Sequence, residues 1–129
     1  MKPILKESKE IAQALLKETP RFEPKIIPET QGVYLIYKRK KIIYVGKGKN
    51  LQKRIAKDHL SVGVRGIKSA FQRKVHRIYE IPFGLQMKKW ISRNCKFTYK
   101  AIKDADMCSL VESLLITYLR SNGQKLLNS

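Results

Sequence analysis

The 129-residue sequence predicts a small α/β (α+β) domain, a mostly antiparallel three-stranded β-sheet flanked by helices, with an N-terminal helical extension. Three observations predict it. Two short β-rich runs, GVYLIYK and KIIYVGK, are joined by a polar link and read as a β-hairpin. Segments with apolar residues at helical spacing lie on both sides of that hairpin. A hydrophobic fraction of 43%, with six Tyr, four Phe and one Trp, is enough for a packed core in a chain of one domain's length.

Residues 5–17 place Ile11, Ala14 and Leu15 behind an acid-rich first turn, the pattern of a helix. Pro20, Pro24 and Pro28 recur every four residues, and proline's fixed φ and missing N–H keep that stretch extended. Residues 1–27 therefore form a helix and spacer ahead of a domain over 28–129. In the hairpin, a three-residue turn Lys38–Lys40 would pair Tyr37 with Lys41. Gly46 and Gly48 end the second strand, and Asn50 is placed to cap a helix from Leu51 to about Leu60. A Gly-rich loop, Ser61–Gly66, leads to a basic helix over Ser69–Tyr79, which Pro82 and Gly84 break. A short helix over Met87–Ser92 carries Trp90, and Lys96–Ile102 alternates as a third strand. Asp104 or Asp106 caps a long helix to about Ser121, closed by Asn122-Gly123.

Charge narrows the function. Lys and Arg number 28 against 10 Asp and Glu, a net charge of +18. Residues 63–100 alone hold ten basic side chains, among them Arg65, Lys68, Arg73, Lys74, Arg77, Lys88 and Lys89, opposed only by Glu80. So one-sided a field repels itself and points to a polyanionic partner, with nucleic acid first. No apolar run approaches the roughly 18 residues of a membrane span, and no signal-peptide apolar region opens the chain, so an intracellular location is expected. Cys95 and Cys108 fit neither a disulfide framework nor zinc-ligand spacing and read as reduced thiols.

Two features suggest chemistry. With the three-residue turn, Tyr34 lies opposite Tyr44 on one sheet face, either as a packing pair or as a reactive one. Lys47, Lys49 and Arg54 follow closely, and neighbouring cations favour a phenolate below the ordinary phenol pKa of about 10. Glu112 falls inside the apolar arc of the last helix. A carboxylate there needs a cation, either an arginine such as Arg54 or a metal ion.

Gly32-Val33-Tyr34 followed by Tyr44-Val45-Gly46 resembles the two-part signature of the GIY-YIG nucleases. IPETQGVYLIY and YVGKGKNLQKRI are most similar to the branch that includes the nuclease domain of excision-repair proteins. VESLLITYLRSNGQKLLN is similar to the family's glutamate-bearing helix and its closing asparagine. The resemblance implies a single-metal phosphodiesterase acting on DNA, structure-selective and linked to repair or recombination. Tyr34 or Tyr44 would position or deprotonate the attacking water, and Arg54 would stabilise phosphate charge. Glu112 would hold one divalent ion, Mg²⁺ or Mn²⁺, and Asn128 would support the site. Lys47 matches a lysine of the excision-repair branch and would depress a tyrosine pKa. Many members carry His or Tyr four residues after the arginine; here Asp58 stands there, in reach of an i+4 salt bridge to Arg54, and His59 comes one later. Lys49 joins Lys47 and the basic 63–100 region in gripping DNA, with Tyr79, Trp90 or Phe97 as stacking surfaces and a protein partner for targeting. The alternatives are a non-catalytic binding module of this fold and a nuclease acting on RNA.

Overall fold

The computed structural model describes residues 4–21, 27–58 and 70–128. In chain order these form α1 (Ile4–Lys17), β1 (Gly32–Lys38), β2 (Lys41–Gly48), a π-helical segment (Lys53–Asp58), α2 (Ala70–Tyr79), α3 (Leu85–Asn94), β3 (Cys95–Ala101) and α4 (Ala105–Ser121). The strands make one antiparallel sheet in the order β2-β1-β3. The architecture is the expected one, and the helix and strand limits lie within a few residues of those read from the caps and breakers. None of the described helices is long and apolar enough to cross a membrane.

Being central, β1 is covered on both faces, and Val33 to Tyr37 are all buried. Alternation along the strand divides them between two cores. Tyr34 and Ile36 join Ile43, Leu51, Ile55, Phe71, Val75, Met87, Ile91 and Phe97 beneath the π segment, α2 and α3. Val33, Leu35 and Tyr37 join Ile42, Val45, Ala12, Leu15, Val111 and Leu115 beneath α1 and α4. α1 buries Ser8, Ala12 and Leu15, one stripe at i, i+4 and i+7. Asp104 caps α4 by accepting from the backbone N–H of Asp106 and Met107, and Gly123, at φ +83°, follows its end.

The hairpin register differs from the expected one. The turn is the two residues Arg39-Lys40, so Lys38 pairs with Lys41, Ile36 with Tyr44 and Tyr34 with Gly46. A bulge at Ile43 separates the Tyr37–Ile42 and Ile36–Tyr44 pairs. Arg39 takes φ +60°, which lets a tight turn form without glycine. The two departures cancel in parity. A two-residue turn alone would put Tyr44 on the opposite face from Tyr34, and the extra residue of the bulge turns it back. The tyrosines are diagonal neighbours with ring centroids 6.4 Å apart.

Both outer strands are capped. Arg21 and Phe97 exchange backbone N–H···O bonds of 2.9 and 2.8 Å at the edge of β3. At the edge of β2, Leu127 N–H donates to the Ile43 carbonyl at 2.6 Å. Beside it the Asn128 amide pairs with Val45 in both directions, accepting from N–H at 2.9 Å and donating to C=O at 2.7 Å.

Candidate active site

The site forms where β2 ends, the π segment begins and α4 passes. Asn50 caps the first turn after β2, its side chain accepting from Lys53 N–H at 2.9 Å. The backbone N–H groups of Leu51 and Gln52 are held by the carbonyls of Thr30 and Pro28. This fixes the turn from which Arg54 projects. A Cβ placed on Gly48 would lie 3.3 Å from Arg54 Cβ and Nε, so the arginine side chain runs close over that glycine. From Lys53 to Asp58 the backbone winds as a π-helix, a distortion common beside functional sites.

Gly46 has a different task. A Cβ there would meet the Tyr34 ring, at 2.2 Å from Cζ and 2.3 Å from the phenolic oxygen. Only glycine lets the Tyr34 phenol lie across β2. Tyr34 is 2% exposed, whereas Tyr44 is half-buried and packs its ring 5.3 Å from that of Phe71 on α2.

Glu112, Arg54 and Arg73, each from a different element, act on the Tyr44 phenol. Burial pushes the Tyr44 phenol above its ordinary range and the Glu112 carboxylate pushes it further; Arg54 and Arg73 pull the other way without prevailing. The expected depression of the tyrosine is therefore corrected. The cations are visible in the sequence, but the burial and the carboxylate that outweigh them are not. Glu112 is itself raised by burial, with Lys47 pulling it back.

Lys47 stands on the other side of β2 from Tyr44. It donates to Ser109 Oγ on α4 at 2.7 Å, and its charge acts on Glu112 and Cys108. For Tyr44, the expectation that Lys47 lowers its pKa is corrected: Lys47 is not among the charges that act on that phenol. Lys47 comes three positions after Tyr44, an odd offset, and strand alternation alone points them to opposite faces.

Lys47, Lys49, Lys53 and Arg54 line a cleft of about 480 Å³ whose other wall is Ala105, Cys108 and Ser109 of α4, with Gln31 at its end. Gln31 is tied across it by Nε2 donating to the Lys103 carbonyl at 2.6 Å. Among the described residues no group of three or more His, Cys, Asp and Glu comes together as a metal cage. Glu112 is half-buried, with Lys47 the cation that acts on it. Asn128 clamps the Val45 peptide between Tyr44 and Gly46, and Arg120 Nη2 donates to its carbonyl at 2.8 Å.

Arg73, Lys74 and Arg77 lie on α2 and Lys88 and Lys89 on α3, all but Lys74 exposed. His59, Arg65, Lys68 and the Ser61–Gly66 loop lie outside the described residues, as does the Asp58 side chain. The aromatic residues named as stacking surfaces are occupied elsewhere. Tyr79 and Trp90 pack together at 5.0 Å, and Phe97 is 3% exposed in the core. Cys95 and Cys108 are buried free thiols, Cys95 with its pKa pushed up to about 12 by burial. A pair of exposed His76 and half-buried Phe83 escaped the sequence reading. His76 and Phe83 stack at 4.2 Å because the reversal after α2 folds residues 81–83 back on the helix, a contact without sequence periodicity.

Known proteins were compared with this chain. UvrABC system protein C of Fusobacterium nucleatum subsp. nucleatum is 60% identical over 30 residues, which is 23% of this chain and 5% of that protein. The chain therefore aligns with a small fraction of that relative. Among solved structures, the GIY-YIG N-terminal endonuclease domain of UvrC from Thermotoga maritima, as a point mutant bound to its catalytic divalent cation, has 23% identity and a TM-score of 0.47, covering 75% of this chain and 84% of that one. The same domain bound to magnesium gives 23% and 0.45, covering 75% and 85%. The GIY-YIG catalytic domain matches residues 30–123, most of the 129, and with the paired tyrosines, the arginine and the glutamate all inside that span, the chain belongs to the GIY-YIG family of endonuclease domains.

Proposed function

We propose that the chain is a metal-dependent endonuclease that hydrolyses phosphodiester bonds of DNA, selects its target by structure and serves DNA repair or recombination. The observation that carries this reading is the meeting of Tyr44, Glu112 and Arg54 beside a cleft walled by Lys47, Lys49 and Lys53. A divalent ion fits Glu112. Mg²⁺ keeps most of its waters and takes one or two carboxylates plus substrate phosphate oxygens, and a lone half-buried carboxylate offers that. When bound, Mg²⁺ or Mn²⁺ supplies Lewis-acid charge at the phosphate and stabilises the leaving oxygen.

The remaining work belongs to the side chains. Arg54 sets a fixed guanidinium against charge that grows on the phosphoryl oxygens in the transition state. Tyr44 orients the attacking water and takes its proton at the phenolic oxygen. The Glu112 charge opposes that role, and neutralising it leaves Arg54 and Arg73 to draw the phenol down. Tyr34 and Asn128 act through β2, the first by filling the space over Gly46, the second by holding the Val45 peptide.

The test is cleavage of supercoiled plasmid and of flapped, branched and single-stranded DNA, with and without Mg²⁺ or Mn²⁺, comparing wild type with Glu112→Ala. The expected result is metal-dependent cutting that falls by roughly 10²-fold or more in the variant while DNA binding persists. Titration of Mn²⁺ into both proteins, followed by its electron paramagnetic resonance signal, reads the metal site independently of activity. A folded, DNA-binding wild type that cuts nothing would assign the chain to a non-catalytic module instead.

A further inference from the structure

Resting on that nuclease reading, we infer that the groove beside the C-terminal half of α2 is a platform for an unpaired base of the substrate strand. Its floor is the His76–Phe83 stack, with centroids 4.2 Å apart and planes inclined by 23°. The His76 ring is locked in place, for its Nδ1 lies 2.8 Å from the Ile81 carbonyl. A carbonyl only accepts, so Nδ1 carries the proton of that bond. Arg73 and Arg77 line the same groove of about 680 Å³, and they are the phosphate-binding type of side chain that a flanking backbone needs.

Glu80 also lines the groove and holds φ +57°, the left-handed region where glycine is the low-strain residue. A carboxylate kept in that conformation on a basic surface fits a base edge better than a phosphate, because exocyclic amines donate hydrogen bonds and phosphates only accept. Continuity with the reactive centre favours the same strand as occupant. Arg73 of α2 acts on the Tyr44 phenol and also lines this groove, one turn of helix before His76. A base inside a duplex has both faces covered by its neighbours. A base on this platform is therefore single-stranded or displaced from its stack, which makes flaps, bubbles and distorted duplexes the substrate class.

The experiment uses the full chain without divalent metal, so that binding is read apart from cutting. Fluorescence anisotropy is measured on a 12-nucleotide single strand and on the matching duplex. Quenching of 2-aminopurine in the strand reports stacking directly. His76→Ala is expected to weaken single-strand binding roughly tenfold, to abolish the quench and to change duplex binding less than twofold; His76→Phe restores both losses. Glu80→Gly relieves the left-handed backbone, so its melting temperature is expected to equal or exceed that of wild type while its preference for oligocytidine over oligothymidine falls. Equal losses on single strand and duplex, or none on either, overturn the platform. So does an acidic peptide whose binding depends on His76 when that of the single strand does not. Cleavage with Mg²⁺ is scored separately: normal cutting with His76-insensitive binding removes the platform alone, whereas a wild type that never cuts removes the nuclease reading.

Discussion

The helices on one face of the sheet, α1 and α4, carry four basic and four acidic side chains, whereas α2 and α3 on the other carry six basic side chains and no acid. The cores beneath them differ as well. Toward α1 and α4 lie Leu15, Val33, Leu35, Val45, Val111 and Leu115, and toward α2 and α3 lie Tyr34, Phe71 and Phe97. The balanced face gives the site its one carboxylate, Glu112, and the basic face gives it Tyr44 and Arg73. In the proposed reading the reactive chemistry sits at the seam: a carboxylate among the cations of α2 and α3 would be held in an ion pair, whereas α4 presents Glu112 half-buried.

The largest effect that tests this comparison comes from two tyrosines on opposite faces. Tyr44→Phe removes the group that faces Glu112 and Arg54, and a lost general base lowers metal-dependent cleavage by roughly 10²-fold or more. Tyr37→Phe removes a hydroxyl from the α1/α4 core, and cleavage per folded molecule is expected to hold. Equal losses in the two variants would show that the faces do not divide the work.

Next in size is packing. Leu115→Ala opens a cavity in the α1/α4 core and costs about 2–5 kcal/mol of stability, while molecules still folded cut normally. Gly46→Ala drives a methyl group into the Tyr34 ring and costs about 1–3 kcal/mol, less than the leucine. It is nevertheless expected to lower cleavage, because the displaced ring adjoins Tyr44. Thermal melts beside single-turnover rates separate the two variants.

The sequence carried the element order because its signals are local: Asp104 before a helix, Gly123 after one, period-two runs in the hairpin. It also carried the family resemblance, whose residue types and order are specific. Register was hidden, since the turn has no Gly or Asn and nothing local marks a bulge at Ile43. The sign of the Tyr44 shift was hidden too. It depends on how deeply the phenol sits and on Glu112, which lies 68 positions away in the chain. The His76–Phe83 stack needed the left-handed turn at Glu80, a conformation that glutamate gives no reason to expect.

A matched pair of charge reversals sharpens the comparison further. Lys88→Glu with Lys89→Glu on α3 is expected to weaken DNA binding about tenfold near 0.1 M salt and to reduce the salt slope by about one to two. Lys6→Glu with Lys9→Glu on α1 makes the same charge change on equally exposed lysines and is expected to move the slope little. If both pairs act alike, net charge rather than a basic face governs binding.

The smallest effect is a change of sign with pH. Burial raises the Glu112 carboxyl in the folded chain, with Lys47 only partly offsetting it. A raised carboxyl favours the folded state while protonated. That contribution is complete below the unfolded carboxyl value of about 4.3 and is lost as pH rises through the higher folded value. Without divalent metal, wild type should therefore lose stability relative to Glu112→Gln over that rise. Saturating Mg²⁺ binds the ionised form, so its stabilisation grows over the same rise and is lost as pH falls. The difference between the two proteins then runs in the opposite direction. Melting temperatures of both proteins at a series of pH values, with Mg²⁺ and with a chelator, check it. If Glu112 serves only as the partner of Lys47, the two series coincide, and the seam between the faces holds an ion pair in place of a metal site.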